Sequence, residues 1–101
     1  MTVVVFRSRL VPDVPESYGP RAAEMLGYAQ TMPGFRSFKQ FSADDGERVS
    51  LIEFETEAQC RAWRDHAEHR KAQQEGRDLY YAEYQLQVCE VIRESRFERR
   101  E

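Results

Sequence analysis

The chain has 101 residues, 41% of them hydrophobic, with 15 basic and 18 acidic side chains and a formal net charge of −3. That length fits one domain and leaves no room for a second, and the mixed charge, without a Lys/Arg stripe interleaved with aromatics, argues against nucleic-acid binding. The opening "MTVVVFRSRL" has too short an apolar run before Arg7 for a secretory leader or a membrane span, so a cytoplasmic protein with no membrane partner is expected.

Residues 2 to 10 carry Val, Phe or Leu at both parities, the pattern of a buried strand. Pro12 and Pro15 break it, because neither can take part in regular ladder pairing. Tyr18, Ala22, Met25, Ala29 and Met32 then recur at alternating four- and three-residue steps, the stripe of a helix with Pro20 in its first turn. "MPGF" at 32 to 35 ends it.

Two β-rich runs follow, roughly 35 to 43 and 47 to 55, around "DDG" at 44 to 46, a strong hairpin signal. Thr56 and Gln59 form a capping-box pair, so a second helix is expected from about residue 57, reaching Gly76 with a break or bend near His66 to Glu68. The last strand alternates Tyr80, Ala82, Tyr84, Leu86 and Val88 against Gln85 and Gln87. A domain over 1–93 and a charged tail over 94–101 complete the chain.

The order strand, helix, strand, strand, helix, strand predicts an α+β, ferredoxin-like βαββαβ fold. Its four-stranded antiparallel sheet carries both helices on one face. A domain this small hides only about 60 to 65% of its unfolded surface, yet six Phe, five Tyr and one Trp require burial. Phe35, Phe38, Phe41 and the tyrosines of the last strand exceed what one helix layer covers, so a homodimer packed through its sheet faces is expected. Cys60 and Cys89 stand apart, which in a reducing compartment reads as two buried thiols.

Three stretches, "MPGFRSFKQF", "ERVSLIEFETEAQCRAWRDHAEHRKAQQEGR" and "YYAEYQLQVCEVIRESRF", resemble the antibiotic biosynthesis monooxygenase domain family, a dimeric α+β barrel group. The similarity spans roughly residues 2 to 97 and rests on the order and spacing of short words such as P-G-F and W-x-x-H. It implies a homodimer with a pocket between sheet and helices in each subunit. Members include cofactor-independent oxygenases that turn polyketide phenols into quinones, haem-degrading enzymes and proteins acting on small signalling molecules, so the family guides fold more firmly than activity.

On a helical wheel begun at Ala58, Arg61, Arg64, Asp65 and Glu68 fill the water face, while Ala58, Cys60, Ala62, Trp63 and Ala67 lie opposite. His66 falls at about 80°, within the apolar arc, and His69 at about 20° if the helix continues. An inward imidazole suits proton transfer near neutrality, or else a buried neutral role on a backbone carbonyl. Trp63 reads either as a core anchor or as the wall of a flat aromatic site; the resemblance favours the wall, since a tryptophan of the second helix recurs at family active sites.

His66 and His69 lack a third metal ligand, so no metal site is expected. Haem-degrading relatives pair the tryptophan with an Asn on the first strand and a later helical His, positions held here by Ser8 and a residue near Gln73. Tyr80, Tyr81 and Tyr84 read as strand and interface residues, with Tyr18 or Tyr28 at a pocket rim; Arg7 and Arg9 either pair with carboxylates or stabilise a phenolate.

The resulting expectation is a monooxygenase without cofactor or metal, acting on a small aromatic substrate and dioxygen. His66 would be base, Trp63 substrate wall, and Arg7 or a tyrosine anion stabiliser. A non-enzymatic dimer holding a small apolar ligand, or a haem-handling relative, are the competing readings.

Overall fold

In a computed structural model the chain is described over residues 1–100; Glu101, the last residue of the expected tail, lies outside the described residues. Eight elements follow in order: β1 (Thr2–Leu10), α1 (Tyr18–Thr31), β2 (Phe35–Ser42), β3 (Arg48–Phe54), α2 (Glu57–Arg64), α3 (Ala67–Glu75), a π-helical turn (Gly76–Tyr80) and β4 (Tyr81–Glu90). The strands form one sheet in the order β2-β3-β1-β4. Every neighbouring pair is antiparallel, which is the ferredoxin-like fold expected above.

Register follows from alternation. Val4 faces Ile52 on one side and Val88 on the other, and Ser8 faces Arg48 and Tyr84. These even positions of β1 point at the helices, and the core of Val4, Ala29, Ile52, Phe54, Cys60 and Trp63 forms there. Phe54 is wholly buried, worth roughly 1.5–3 kcal/mol for such a side chain. The other face carries Val3, Val5, Arg7 and Arg9 beside Leu51 and Gln87. No helix among the described residues covers that face.

Local chemistry sets the connections. The β2–β3 hairpin closes with Ala43 N–H donating to Glu47 O at 2.8 Å, and Gly46 supplies φ +91° at its tip. Gly34, at φ +82°, turns the chain from α1 into β2. Gln59 packs so tightly over it that a Cβ there would lie 1.9 Å from Gln59 Oε1. The capping box forms only by half: Thr56 Oγ1 accepts from Gln59 N–H at 3.2 Å, while the Gln59 side chain packs over Gly34 with its Oε1 buried and unpartnered among the described residues.

The second helix breaks where a break was expected. Asp65 closes α2, and His66 takes an extended backbone (φ −61°, ψ 133°) as the N-cap of α3. Three expectations need correction. Tyr80 lies in the π-helical turn, outside the last strand, and its hydroxyl pairs with Ser17 Oγ at 2.7 Å. The surplus aromatics do not gather on the bare face: Phe35 packs edge-on to Phe54, Phe38 and the β4 tyrosines turn toward the helices, and only Phe41, opposite Val49, points the other way. The three-residue step from Phe38 to Phe41 is the cause, since side chains alternate with period two. The two thiols are free, but Cys89 is exposed and only Cys60 is buried. Cys89 is opposite Val3 on the uncovered face of an edge strand.

Candidate functional site

A cavity of about 180 Å³ lies between the helix-facing side of the sheet and the helices. Val4, Phe6 and Ser8 of β1 form its floor, α1 contributes Tyr18, Met25 and Ala29, and Trp63, His69 and Gln73 close the opposite wall. Tyr80, Tyr81 and Tyr84 stand at one end.

At the other end are Trp63 and His69. Trp63 is buried against Phe54, with ring centroids 5.6 Å apart, and the His69 imidazole lies on it at 4.0 Å and 31°. His69 Nδ1 lies 3.4 Å from the carbonyl oxygen of Arg64. A carbonyl can only accept, so the proton of the neutral ring sits on Nδ1 and the lone pair on Nε2. Burial pushes the His69 pKa below its usual value, opposed by the Arg64 carbonyl and helped by nearby His66. The ring is therefore a free base at neutral pH. Trp63 Nε1–H is buried without a partner among the described residues, a desolvation cost on the order of 1–3 kcal/mol borne by the core.

At the tyrosine end, Arg48 Nη1 donates to Tyr18 Oη at 2.9 Å, and its guanidinium carbon lies 5.4 Å from the Tyr18 ring centre. Tyr18 meets Tyr80 and Tyr81 edge-on at 5.3 and 6.1 Å. Burial, reinforced by the Tyr18 hydroxyl, raises the Tyr81 pKa well above the ordinary phenol value, so Tyr81 stays protonated. Tyr84 accepts from Arg77 Nη1 at 3.0 Å.

Of the three residues singled out as catalytic, only Trp63 lines the cavity. His66 is half-buried outside it: its Nδ1 accepts from Glu68 N–H at 3.2 Å and its ring lies 5.5 Å from Tyr28. The inward aim of His66 assumed an unbroken helix. Trp63 and His69, six residues apart, would sit about 120° apart on such a helix. The break at Asp65–His66 re-aims α3, seats His69 on Trp63 and turns His66 into a cap. Arg7 lies on the uncovered face of the sheet, in a two-bond pair with Glu47 at 2.9 and 3.0 Å, so the sheet itself separates it from the cavity.

Tyr18 is in the lining as expected of a rim residue, whereas Tyr28 is spent on His66. Ser8 and Gln73 both face the cavity. Arg48 carried no sequence signal beyond its place at the start of β3; only the register that sets it opposite Ser8 brings it to Tyr18. Among the described residues no group of three His, Cys, Asp or Glu side chains is placed to hold a metal ion.

An antiparallel four-stranded sheet, with its helices on one face and a cavity lined between the two, defines an α+β domain of the ferredoxin-like fold. Residues 1–75 match the family described as antibiotic biosynthesis monooxygenase, and the chain belongs to that family. It is 30% identical over 81 residues to "Uncharacterized protein YqjZ" of Bacillus subtilis (strain 168), covering 80% of this chain and 71% of that protein. Rv0793 from Mycobacterium tuberculosis superposes with a TM-score of 0.80 at 17% identity, covering 94% of this chain and 98% of that one. SnoaB, a cofactor-independent oxygenase from Streptomyces nogalater, gives a TM-score of 0.75 at 13% identity, covering 92% and 94%. At those identities the two structures speak for the fold. No helix among the described residues is long and apolar enough to cross a membrane.

Proposed function

We propose that this chain is a homodimeric monooxygenase that oxidises a small phenolic aromatic molecule with dioxygen in the cavity between sheet and helices. The observation that carries this reading is the position of the His69 imidazole, its Nδ1 3.4 Å from the Arg64 carbonyl oxygen and its ring lying on Trp63 at the cavity wall. Family membership supports oxygenase chemistry, and SnoaB's description as cofactor-independent supports a route that needs only a base and a dry site.

In that route His69 Nε2 takes the phenolic proton while the paired Trp63 and His69 rings wall the substrate ring. The phenolate passes one electron to dioxygen, giving a phenoxyl radical and superoxide. Their recombination at a ring carbon that bears hydrogen forms a peroxide. Loss of water then leaves the quinone, so one oxygen atom enters the product and the other leaves as water. The role first assigned to His66 thus passes to His69, and Arg7, across the sheet, takes none.

The dimer is part of the same reading. Val3, Val5 and Leu51 share the uncovered face with the exposed Phe41, a surface suited to a second copy of that face. A cytosolic setting agrees with the two free cysteines. The test is oxygen uptake by purified, metal-stripped protein with a phenolic substrate, with Trp63→Phe and His69→Gln as controls. Turnover that survives His69→Gln removes the base assignment. Trp63 quenching on ligand addition with no oxygen consumed in any form transfers the cavity to the ligand-binding reading.

A further inference from the structure

The tyrosine end of the cavity carries chemistry that deprotonation at His69 leaves unused. Four phenols line it, and their hydrogen bonds differ. Tyr80 is matched with Ser17, and Tyr84, on the exposed edge strand, accepts from Arg77. Tyr18 Oη accepts from Arg48 Nη1 at 2.9 Å, and among the described residues its hydroxyl makes no other side-chain hydrogen bond, so its own proton is left to donate. Among the described residues Arg48 forms no ion pair, so its charge is free to polarise that phenol. The result is a strengthened donor backed by positive charge, a fit for an oxygen rich in electrons.

The two ends are well separated. Val4 packs with Trp63, and Ser8 pairs with Arg48, four residues further along β1, or about 13 Å of strand. A cavity of about 150 Å³ encloses a single benzene ring. With about 180 Å³ and an open side, this one takes one ring fully and a second ring reaching toward the tyrosines.

We propose that Tyr18, held by Arg48, is the specificity-determining donor of this site: it binds an acceptor oxygen at the end of a two-ring phenol remote from the hydroxyl presented to His69. The inference rests on the functional reading above and names its substrate class, two-ring phenols whose far end bears a conjugated carbonyl. When His69 removes the phenolic proton, conjugation carries the negative charge to that carbonyl, where the Tyr18 hydrogen bond strengthens. Tyr18 thus stabilises the anion that must form before dioxygen can be reduced. Arg48 is a positioning residue that acts through Tyr18.

The test uses 6-acetyl-2-naphthol, with 2-naphthol as the compound lacking the acceptor. Both are added without oxygen to the wild-type chain, Tyr18→Phe, Arg48→Met and Arg48→Lys. Binding is read by quenching of Trp63, the single tryptophan, and ionisation of the bound probe by its phenolate absorption band. The expected result is that the acetyl compound binds the wild type about tenfold more tightly than 2-naphthol, and that Tyr18→Phe abolishes the difference. The bound acetyl compound also ionises at lower pH in the wild type than in Tyr18→Phe, while 2-naphthol ionises alike in both. Arg48→Met reproduces much of the loss and Arg48→Lys restores part of it.

Equal weakening of both compounds by Tyr18→Phe, an unchanged preference, or binding of neither compound overturns the proposal. A Tyr18-dependent preference in a chain that consumes no oxygen when air is admitted overturns the oxygenase reading alone.

Discussion

The imidazole of His69 lies 4.0 Å from the Trp63 ring, although six residues of continuous helix would hold the two side chains on different faces. The break between α2 and α3 makes the contact, and with it the basic end of the cavity. His69→Gln is expected to lower oxygen uptake by about 10²- to 10⁴-fold, the usual worth of a positioned general base. His66→Gln should leave turnover within a few-fold and cost about 1 kcal/mol of stability through the lost N-cap. Equal losses in the two variants would contradict the assignment.

The same burial sets a pH dependence of folding. His69 has a lower pKa in the folded chain than the value of about 6.5 it takes when unfolded, so below that pH the unfolded chain binds the proton first. Stability is full above about pH 6.5 and declines as the pH drops toward the folded pKa. Urea melts between about pH 5 and 7.5 should show this slope, and His69→Gln should flatten it.

Trp63 combines a large buried ring with an indole N–H that has no partner among the described residues. Trp63→Phe keeps most of the packing and removes the orphaned donor, so the melting temperature should change little. Trp63→Ala should cost about 3–5 kcal/mol, because it opens a void beside Phe54 and His69. Thermal melts of both variants check the contrast.

Gly34 carries two constraints, a left-handed backbone and the Gln59 side chain pressed over it. Gly34→Ala should destabilise by more than about 1 kcal/mol. Adding Gln59→Ala should recover the steric share and leave the backbone share, which a double-mutant cycle separates.

The uncovered sheet face gives the last expectation. Val5→Glu places a charge at the centre of the proposed dimer surface, away from the cavity, and should shift the chain from dimer to monomer in sedimentation. An unchanged mass would move the interface elsewhere.

The order and type of the strands and α-helices were legible because they depend on local rules: the apolar run of β1 at both parities, the period-two alternation of β4, the stripe from Tyr18 to Met32, Asp-Gly at the hairpin and Thr56 as a cap. Trp63 was legible as an inward residue for the same reason. Which histidine reaches the cavity was not, since a break of one or two residues re-aims everything after it, and no wheel drawn through the break preserves direction. Arg7 and Arg48 show the other limit: both sit on strands and both are basic, but pairing register alone places Arg7 beyond the sheet with Glu47 and Arg48 against Tyr18. The sequence by itself determined the ferredoxin-like fold and a helix bearing Trp63, because periodicity and turn chemistry act over a few residues. Only the tertiary structure decided which polar groups face one cavity, because that depends on register and helix direction, which are fixed by packing between residues distant along the chain.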